Sequence, residues 1–367
     1  MSPAIHPALA KLPAPRCSFT SDNSAAAHPS VMAAMLAANN GHALAYGADP
    51  WSEQTQQGFK QMFGADSEAF LVWGGSGANV MALVSLLQAG ECVVCSDQAH
   101  IAVAETGAPE RALGAKLLLL PSVAGKIHPE QVAALGRTLG SQHHPQPGIL
   151  SLTQATEMGT VYSAAELKAL CQAAHQLGMR VHLDGARIAN ACAALGGTLE
   201  ALRSISLDAG VDVLCFGGTK AGLIGGEALI YFHTEHARRA KYVRKQVNQL
   251  PSKMRYVAAQ FNALLEDELW LTLAAHANRM AQRLYLATRD IAGLQYAQAP
   301  ITNGLFPTLP AACIAPLAAW CHFWEWDSSQ SQVRWMTAWD TSEADVDHFA
   351  AGVRALLQHY TENGNAL

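Results

Sequence analysis

Val211-Asp212-Val213-Leu214-Cys215-Phe216-Gly217-Gly218-Thr219-Lys220-Ala221-Gly222 decides how the rest of this chain is read. An apolar run of strand length ends in small residues and then delivers a single amine. A lysine that attacks a carbonyl carbon must first lose its proton, which partial desolvation and rigid flanking backbone favour. The stretch 211–216 supplies the dry approach, while Gly217, Gly218 and Gly222 let backbone pass close to a bulky ligand. Taken alone, the run also describes a solvated lysine in a glycine-rich turn, so other segments must decide.

Arg180-Val181-His182-Leu183-Asp184-Gly185-Ala186-Arg187 reads as a short buried strand that delivers Asp184 to its carboxyl end, where open α/β sheets place ligand-contacting groups. A buried carboxylate needs a cationic partner, because unpaired burial is costly or forces it to take up a proton. A protonated pyridine nitrogen would serve; an ion pair with Arg187 is the purely structural alternative. Gly74-Gly75-Ser76-Gly77-Ala78-Asn79 follows a strand-like run and opens a helix, so its backbone N–H groups and the helix dipole form a ready anion site around Gly75, Ser76 and Gly77. The third glycine of a dinucleotide fingerprint is missing, and there is no P-loop Gly-Lys-Ser/Thr, so NAD and ATP readings are weak. His100, in Ser96-Asp97-Gln98-Ala99-His100, is flat and titrates near neutral pH.

In their order Gly-Ser-Gly-Ala-Asn, His, His-Leu-Asp-Gly-Ala-Arg and Gly-Gly-Thr-Lys, these motifs resemble the threonine aldolase and β-eliminating lyase family, and most closely its bacterial low-specificity L-threonine aldolases, including the branch active on phenylserine. The resemblance runs from about residue 21 to beyond 340. It implies pyridoxal 5'-phosphate (PLP) as cofactor, in the α/β fold type I that aspartate aminotransferase shares: a mostly parallel sheet covered by helices, plus a smaller C-terminal α+β domain. By resemblance, Lys220 holds the cofactor, Asp184 its ring nitrogen, and Gly75, Ser76 and Gly77 its phosphate end, with Thr219 also cofactor-binding. His100 stacks on the ring and handles a substrate proton. Arg334 binds the substrate carboxylate with Ser21 and Arg187 as co-ligands, and Arg187 alternatively meets the cofactor's phenolic oxygen. Tyr46 lies at the active-site mouth, and Arg255 reaches a neighbouring subunit's phosphate, so the site is shared across a dimer interface.

Two departures stand out. Many relatives carry Thr-His after the strand of Arg334, where this chain has Thr337-Ala338. Many carry Asn-Thr-His in the loop after Leu152, where this chain reads Thr153-Gln154-Ala155-Thr156-Glu157; the phenylserine-active branch is similar there. Gln154 or Thr156 is therefore expected to hydrogen-bond the substrate hydroxyl, and Glu157 either caps or pairs locally.

The expected reaction is retro-aldol cleavage of L-threonine, L-allo-threonine or a related β-hydroxy amino acid such as phenylserine to glycine and an aldehyde. Its alternatives are β-elimination to ammonia and a keto acid or, further off, non-catalytic PLP binding.

Composition agrees. Of 367 residues, 50% are hydrophobic and only 14% charged, which favours a homo-oligomer, here expected to be a tetramer, that hides apolar surface between subunits. A net charge of -5 with scattered Lys and Arg offers no nucleic-acid surface. No run approaches the roughly 18 apolar residues of a membrane span, and the N-terminus lacks the pattern of a secretory signal, so a cytoplasmic protein is expected. Eight cysteines in so long a chain are not a disulfide scaffold. Cys92 and Cys95 have metal spacing without a second ligand pair, and no coherent His/Cys/carboxylate set suggests a metal.

Helical patterns cover 30–38, 53–63, 79–88 and 164–177. Strand-like runs cover 69–73, 92–95, 116–120 and 148–152. This alternation predicts the parallel sheet. Helices dominate after about residue 250, notably 254–278, with a late strand at 333–337. The expected organisation is a flexible arm (1–17), a large PLP-binding domain (18–250) and a small C-terminal domain (251–367).

Overall fold

The computed structural model describes residues 5–362, in two compact units: residues 27–271, and residues up to 26 together with 272 onward. The larger unit is built on seven strands: β1 (Glu68–Val72), β2 (Glu91–Ser96), β3 (Leu117–Leu120), β4 (Gln146–Thr153), β5 (Arg180–Gly185), β6 (Val213–Gly217) and β7 (Glu227–Tyr231), in the order β1-β7-β6-β5-β4-β2-β3. Pairing is parallel from β3 through β2, β4 and β5 to β6; β7 alone runs the other way, between β1 and β6. The parallel α/β sheet expected from the alternating pattern is therefore present. The pattern does not single out β7, because a five-residue apolar run has no period of its own to separate strand from helix.

Strands β2, β4, β5, β6 and β7 are buried along nearly their whole length, as a sheet covered on both faces requires. One face packs on the helix α3 of this unit, which with α1 and α2 spans Pro29–Ala38 (α1), Pro50–Phe63 (α2) and Gly75–Leu86 (α3). Met81, Leu83 and Leu86 of α3 join Val93, Cys95, Val213, Cys215 and Leu229 in one core cluster. Helices α1 and α2 each start at a proline in the first turn, where its missing N–H costs nothing, and Asp49 caps α2 by accepting from Ser52 N at 2.9 Å.

The smaller unit carries short antiparallel strands β8 (Gln295–Tyr296), β9 (Gly304–Leu305), β10 (Pro307–Thr308), β11 (Trp324–Asp327) and β12 (Gln332–Met336), with β12 pairing β9, β10 and β11. Its core joins Leu9, Phe19, Leu284, Leu317, Trp335, Phe349 and Leu356.

Two expectations about organisation change. The arm is not loose where it is described: Leu9 is fully buried, Leu12 and Cys17 pack on the same core, and Phe19 stacks on Phe349 with ring centroids 4.3 Å apart. An Ala/Pro-rich composition conceals the few apolar residues that anchor it. The division between units also falls later than residue 250. The helical stretch 254–278 is two helices, Arg255–Leu265 and Leu269–Thr288, broken at 266–268, where Asp267 takes a positive φ of 49°. The first of them buries Val257, Phe261 and Leu264 and packs against α1 and α2, which keeps it in the larger unit.

Candidate active site

The carboxyl ends of β4, β5 and β6 and the N-terminus of α3 enclose a pocket with about 410 Å³ of space not filled by atoms. Its wall brings together Gly75, Ser76, His100, Asp184, Arg187 and Lys220 from the sequence reading, and adds Asn79, Glu105, Thr153 and Glu157. This is the crevice beyond the strand ends where an open α/β sheet binds ligands.

Asp184 ends β5 nearly buried, 6% exposed. Asn79 Nδ2 donates to its Oδ2 at 3.0 Å and Ala186 N to its Oδ1 at 3.0 Å. The same Asn79 Nδ2 reaches Glu105 Oε1 at 2.9 Å, and Glu105 Oε1 lies 2.8 Å from His100 Nδ1. One amide thus ties two buried carboxylates together and fixes the imidazole. The hydrogen bond to Glu105 holds the His100 imidazolium above its ordinary pKa, against the opposing effect of burial. Behind Asp184, His182 lies between Ser151 Oγ (2.9 Å) and Cys215 Sγ (3.2 Å), and burial lowers its pKa to about 4, which leaves it neutral.

Lys220 stands in a single 3-10 turn, Thr219–Ala221, directly after β6, and is half-buried. The turn is tight for a reason: a Cβ on Gly217 would lie 2.4 Å from the Ala186 carbonyl oxygen, and one on Gly218 2.6 Å from that of Gly226. Glu227 of β7, fully enclosed beneath it, accepts from Gly218 N at 2.8 Å. Burial raises Glu227 to about 7. Thr219 closes the turn by accepting from Gly226 N at 3.1 Å and does not face the pocket.

Helix α3 begins at Gly74 with no side-chain cap, and a Cβ on Gly74 or Gly75 would meet nothing within 4 Å. Its first amides therefore open on free space, which suits an anion. Gly77 lies off this opening, because the Gln249 side chain fills the space its own would take, 2.3 Å from a built Cβ.

The loop after β4 departs from expectation. Gln154 is fully buried and clamps Tyr162, donating from Nε2 to its carbonyl at 2.8 Å and accepting its N–H at 3.0 Å. Thr156 is also buried, its Oγ1 2.7 Å from Thr160 Oγ1. Both expected hydroxyl ligands are spent inside the loop. Thr153, Ala155 and Glu157 line the pocket in their place.

Other expected residues lie off this wall. Tyr46 is half exposed, at a positive φ of 61°, with the Lys245 ammonium 5.1 Å from its ring centre. Arg255 holds the carbonyls of Asn40 (3.3 Å) and Gly41 (3.2 Å) and stacks on Tyr256. Ser21 and Arg334 belong to the smaller unit and are brought near each other there: Arg334 Nη2 donates to the Thr20 carbonyl at 3.1 Å while its guanidinium lies 4.8 Å from the Trp326 ring centre.

A model of the beta-eliminating lyases matches residues 18–308, which carry the whole pocket wall. The chain belongs to the beta-eliminating lyase family. It is 41% identical over 342 residues to a low specificity L-threonine aldolase of a Pseudomonas species, covering 92% of this chain and 97% of that protein. The corresponding Pseudomonas aeruginosa enzyme is 40% identical over the same shares. Among solved structures, Leishmania major threonine aldolase superposes with a TM-score of 0.85 at 28% identity, over 93% of this chain and 99% of that one. This member of the family thus has the expected PLP fold type I, with the mostly parallel large sheet and a smaller sheet unit toward the C-terminus.

The sequence reading passed over four residues of the site: Asn79, Glu105, Glu157 and Glu227. Asn79 stood inside a quoted motif without an assigned role, and Glu157 was read only as a local cap or pair. Glu105, five residues past His100 and beyond the end of the helix His100–Val103, carried no spacing signal.

Proposed function

We propose that this chain is a PLP-dependent aldolase that cleaves L-threonine, L-allo-threonine and related β-hydroxy-α-amino acids to glycine and an aldehyde. The observation that carries it is the convergence of Lys220, buried Asp184, His100 and an uncapped glycine helix terminus on one pocket, in a chain 41% identical to a low specificity L-threonine aldolase. The donor set fits the cofactor. Asp184 is a buried carboxylate whose partners are a neutral amide and a backbone N–H, which suits a protonated ring nitrogen; the amides of Gly75 and Ser76 suit a phosphate. Lys220 would hold the aldehyde carbon, and the flat His100 ring, steadied by Glu105, would cover one face. When bound, the cofactor supplies an electron sink for the pair released as Cα–Cβ breaks.

The protein's own groups do the rest. Arg187 in the wall supplies a guanidinium fork of the kind an α-carboxylate requires, and Arg334 and Ser21 keep the substrate-carboxylate role that resemblance gives them. Asp184, held by two donors, keeps its charge directed at the ring nitrogen. His100, whose proton affinity the hydrogen bond to Glu105 raises, can pass a proton within the pocket. Tyr46 and Arg255, placed off their own pocket wall, serve a neighbouring subunit's site. Exposed apolar residues such as Leu36 and Leu44 (74% each) and Ile224 (53%) support the homotetramer that this sharing needs. Among the described residues no helix is long and apolar enough to cross a membrane; a cytoplasmic location is part of the same reading.

Product analysis tests it. The PLP-loaded protein is incubated with L-threonine, and glycine with acetaldehyde is expected. Ammonia with a keto acid would move the chain to the eliminating members of its family.

A further inference from the structure

Glu157 is the one pocket carboxylate whose bonding the residues around it leave incomplete and whose charge they do not neutralise. Its Oε1 accepts from His100 N at 2.8 Å and from Thr153 Oγ1 at 2.9 Å. Its Oε2 is buried and has no hydrogen-bond partner. Glu105 Oε2 is likewise without one, but the Glu105 side chain is wholly inaccessible and its charge is met by His100. Glu157 is bonded only to neutral donors and makes no ion pair among the described residues, and as a residue it is half-buried and part of the pocket wall. A carboxylate oxygen left so in a pocket awaits a proton or a donor brought by the ligand.

We propose that Glu157 is the catalytic residue that takes the β-hydroxyl proton of the substrate. This rests on the aldolase reading above and deepens it. The substrate O–H bond breaks and its proton passes to Oε2. The O–H electron pair becomes the second C–O bond of the aldehyde, and the Cα–Cβ pair stays with the glycyl fragment. One proton is later returned to Cα, so the reaction consumes none overall. Thr153 and the His100 amide keep Oε1 in place, which leaves Oε2 as the exchanging oxygen.

Burial, and after it the charge of Asp184, raise the proton affinity of Glu157 above the usual carboxylate range, which makes it a stronger base than an exposed glutamate. The groups facing it are Asp184 from β5 and Cys95 from β2, Tyr162 from its own loop, and His100, Glu105, Arg187 and Lys220 in the shared wall; the anionic ones add to the effect of burial and the cationic ones oppose it.

The test separates the hydroxyl step from the rest of the site. Glycine has no hydroxyl, so exchange of its α-hydrogen in heavy water, followed by NMR, needs Lys220 and Asp184 but not Glu157. In the PLP-loaded protein, Glu157→Gln should lower kcat/KM for L-threonine about 100-fold or more, while cofactor absorbance and the glycine exchange rate stay within about 3-fold, a gap smaller than one buried hydrogen bond would open. Equal losses in both reactions, or no loss in either, would overturn the proposal. If Glu157→Gln fails to hold the cofactor, Glu157→Asp, which withdraws the carboxyl from the pocket, is judged by the same ratio. Independently of turnover, ¹³C NMR of labelled glutamate carboxyls in the cofactor-free protein should show one resonance, absent from Glu157→Gln, that titrates above the ordinary glutamate range; ordinary titration would also count against the proposal. A wild-type protein that makes no glycine from L-threonine would overturn the aldolase reading instead, and the titration would stand apart from that failure.

Discussion

At the carboxyl edge of β5 and β6, Asp184, Arg187 and Lys220 reach the pocket and only Thr219 of the marked residues turns away; in the loop that follows β4, on the same sheet edge, both marked residues turn away and Glu157 takes their place. Asp184 and Lys220 belong to strands whose alternation sets direction: once β5 and β6 pair in register, with Asp184 opposite Cys215, the outlet of each side chain follows. Gln154 and Thr156 sit in a loop whose backbone groups lack ladder partners, and their side chains supply those partners through Tyr162, Thr160 and the Ala124 carbonyl. A polar residue near a site is thus a ligand candidate only after the backbone around it is satisfied.

Four experiments break or sharpen that contrast. The largest effect belongs to the strand edge. Lys220→Ala should lower glycine formation on the order of 10⁴-fold or more, with far-UV circular dichroism and unfolding midpoint nearly unchanged. Turnover near the wild-type rate would remove the edge from the chemistry.

Asp184→Asn comes next. The amide keeps the shape but offers one acceptor oxygen, so it can accept from Ala186 N or from Asn79 Nδ2 but not both, and it cannot match a protonated ring nitrogen; kcat should fall on the order of 100-fold or more, with a stability loss of about 1–3 kcal/mol. Wild-type kcat would mean that the buried carboxylate serves packing alone.

Gln154→Ala probes the loop from the opposite side. Two buried bonds to Tyr162 disappear, so stability to urea should drop by about 1–3 kcal/mol. If Gln154 instead bound the substrate hydroxyl, KM would rise while stability held, and the contrast would collapse.

The smallest effect is a pH slope. Burial lifts Glu227 from an ordinary 4.5 to about 7, so the folded chain binds this proton more tightly than the unfolded one. Its contribution to stability is complete below 4.5 and is lost as pH rises through 7. Glu227→Gln should flatten the fall in urea stability across that window, and an unchanged slope would show that Glu227 is already paired.

The larger unit was legible from its pattern because apolar runs alternating with amphipathic helices admit few architectures besides a parallel sheet. Arg255 and Tyr46 were legible as motifs but not as positions, since nothing local tells whether a side chain serves its own pocket or another. The N-terminal segment was misread because buried Leu9, with Leu12 and Cys17 packed on the same core, outweighs the proline- and alanine-rich composition around it. Helix 254–278 was misread because a break at an acidic, positive-φ turn leaves the apolar period almost intact.

The sequence alone determined the chemistry on offer. A lysine behind an apolar strand, a carboxylate at the end of another and glycines at a helix start are consequences of residue order, and strand geometry converts order into direction. Only the tertiary structure decided which further groups complete the site. Asn79, Glu105, Glu157 and Glu227 come from four separate segments, and their bonds to Asp184, His100 and the Lys220 turn exist only because the fold brings them within hydrogen-bond distance in a place where water cannot stand in for them.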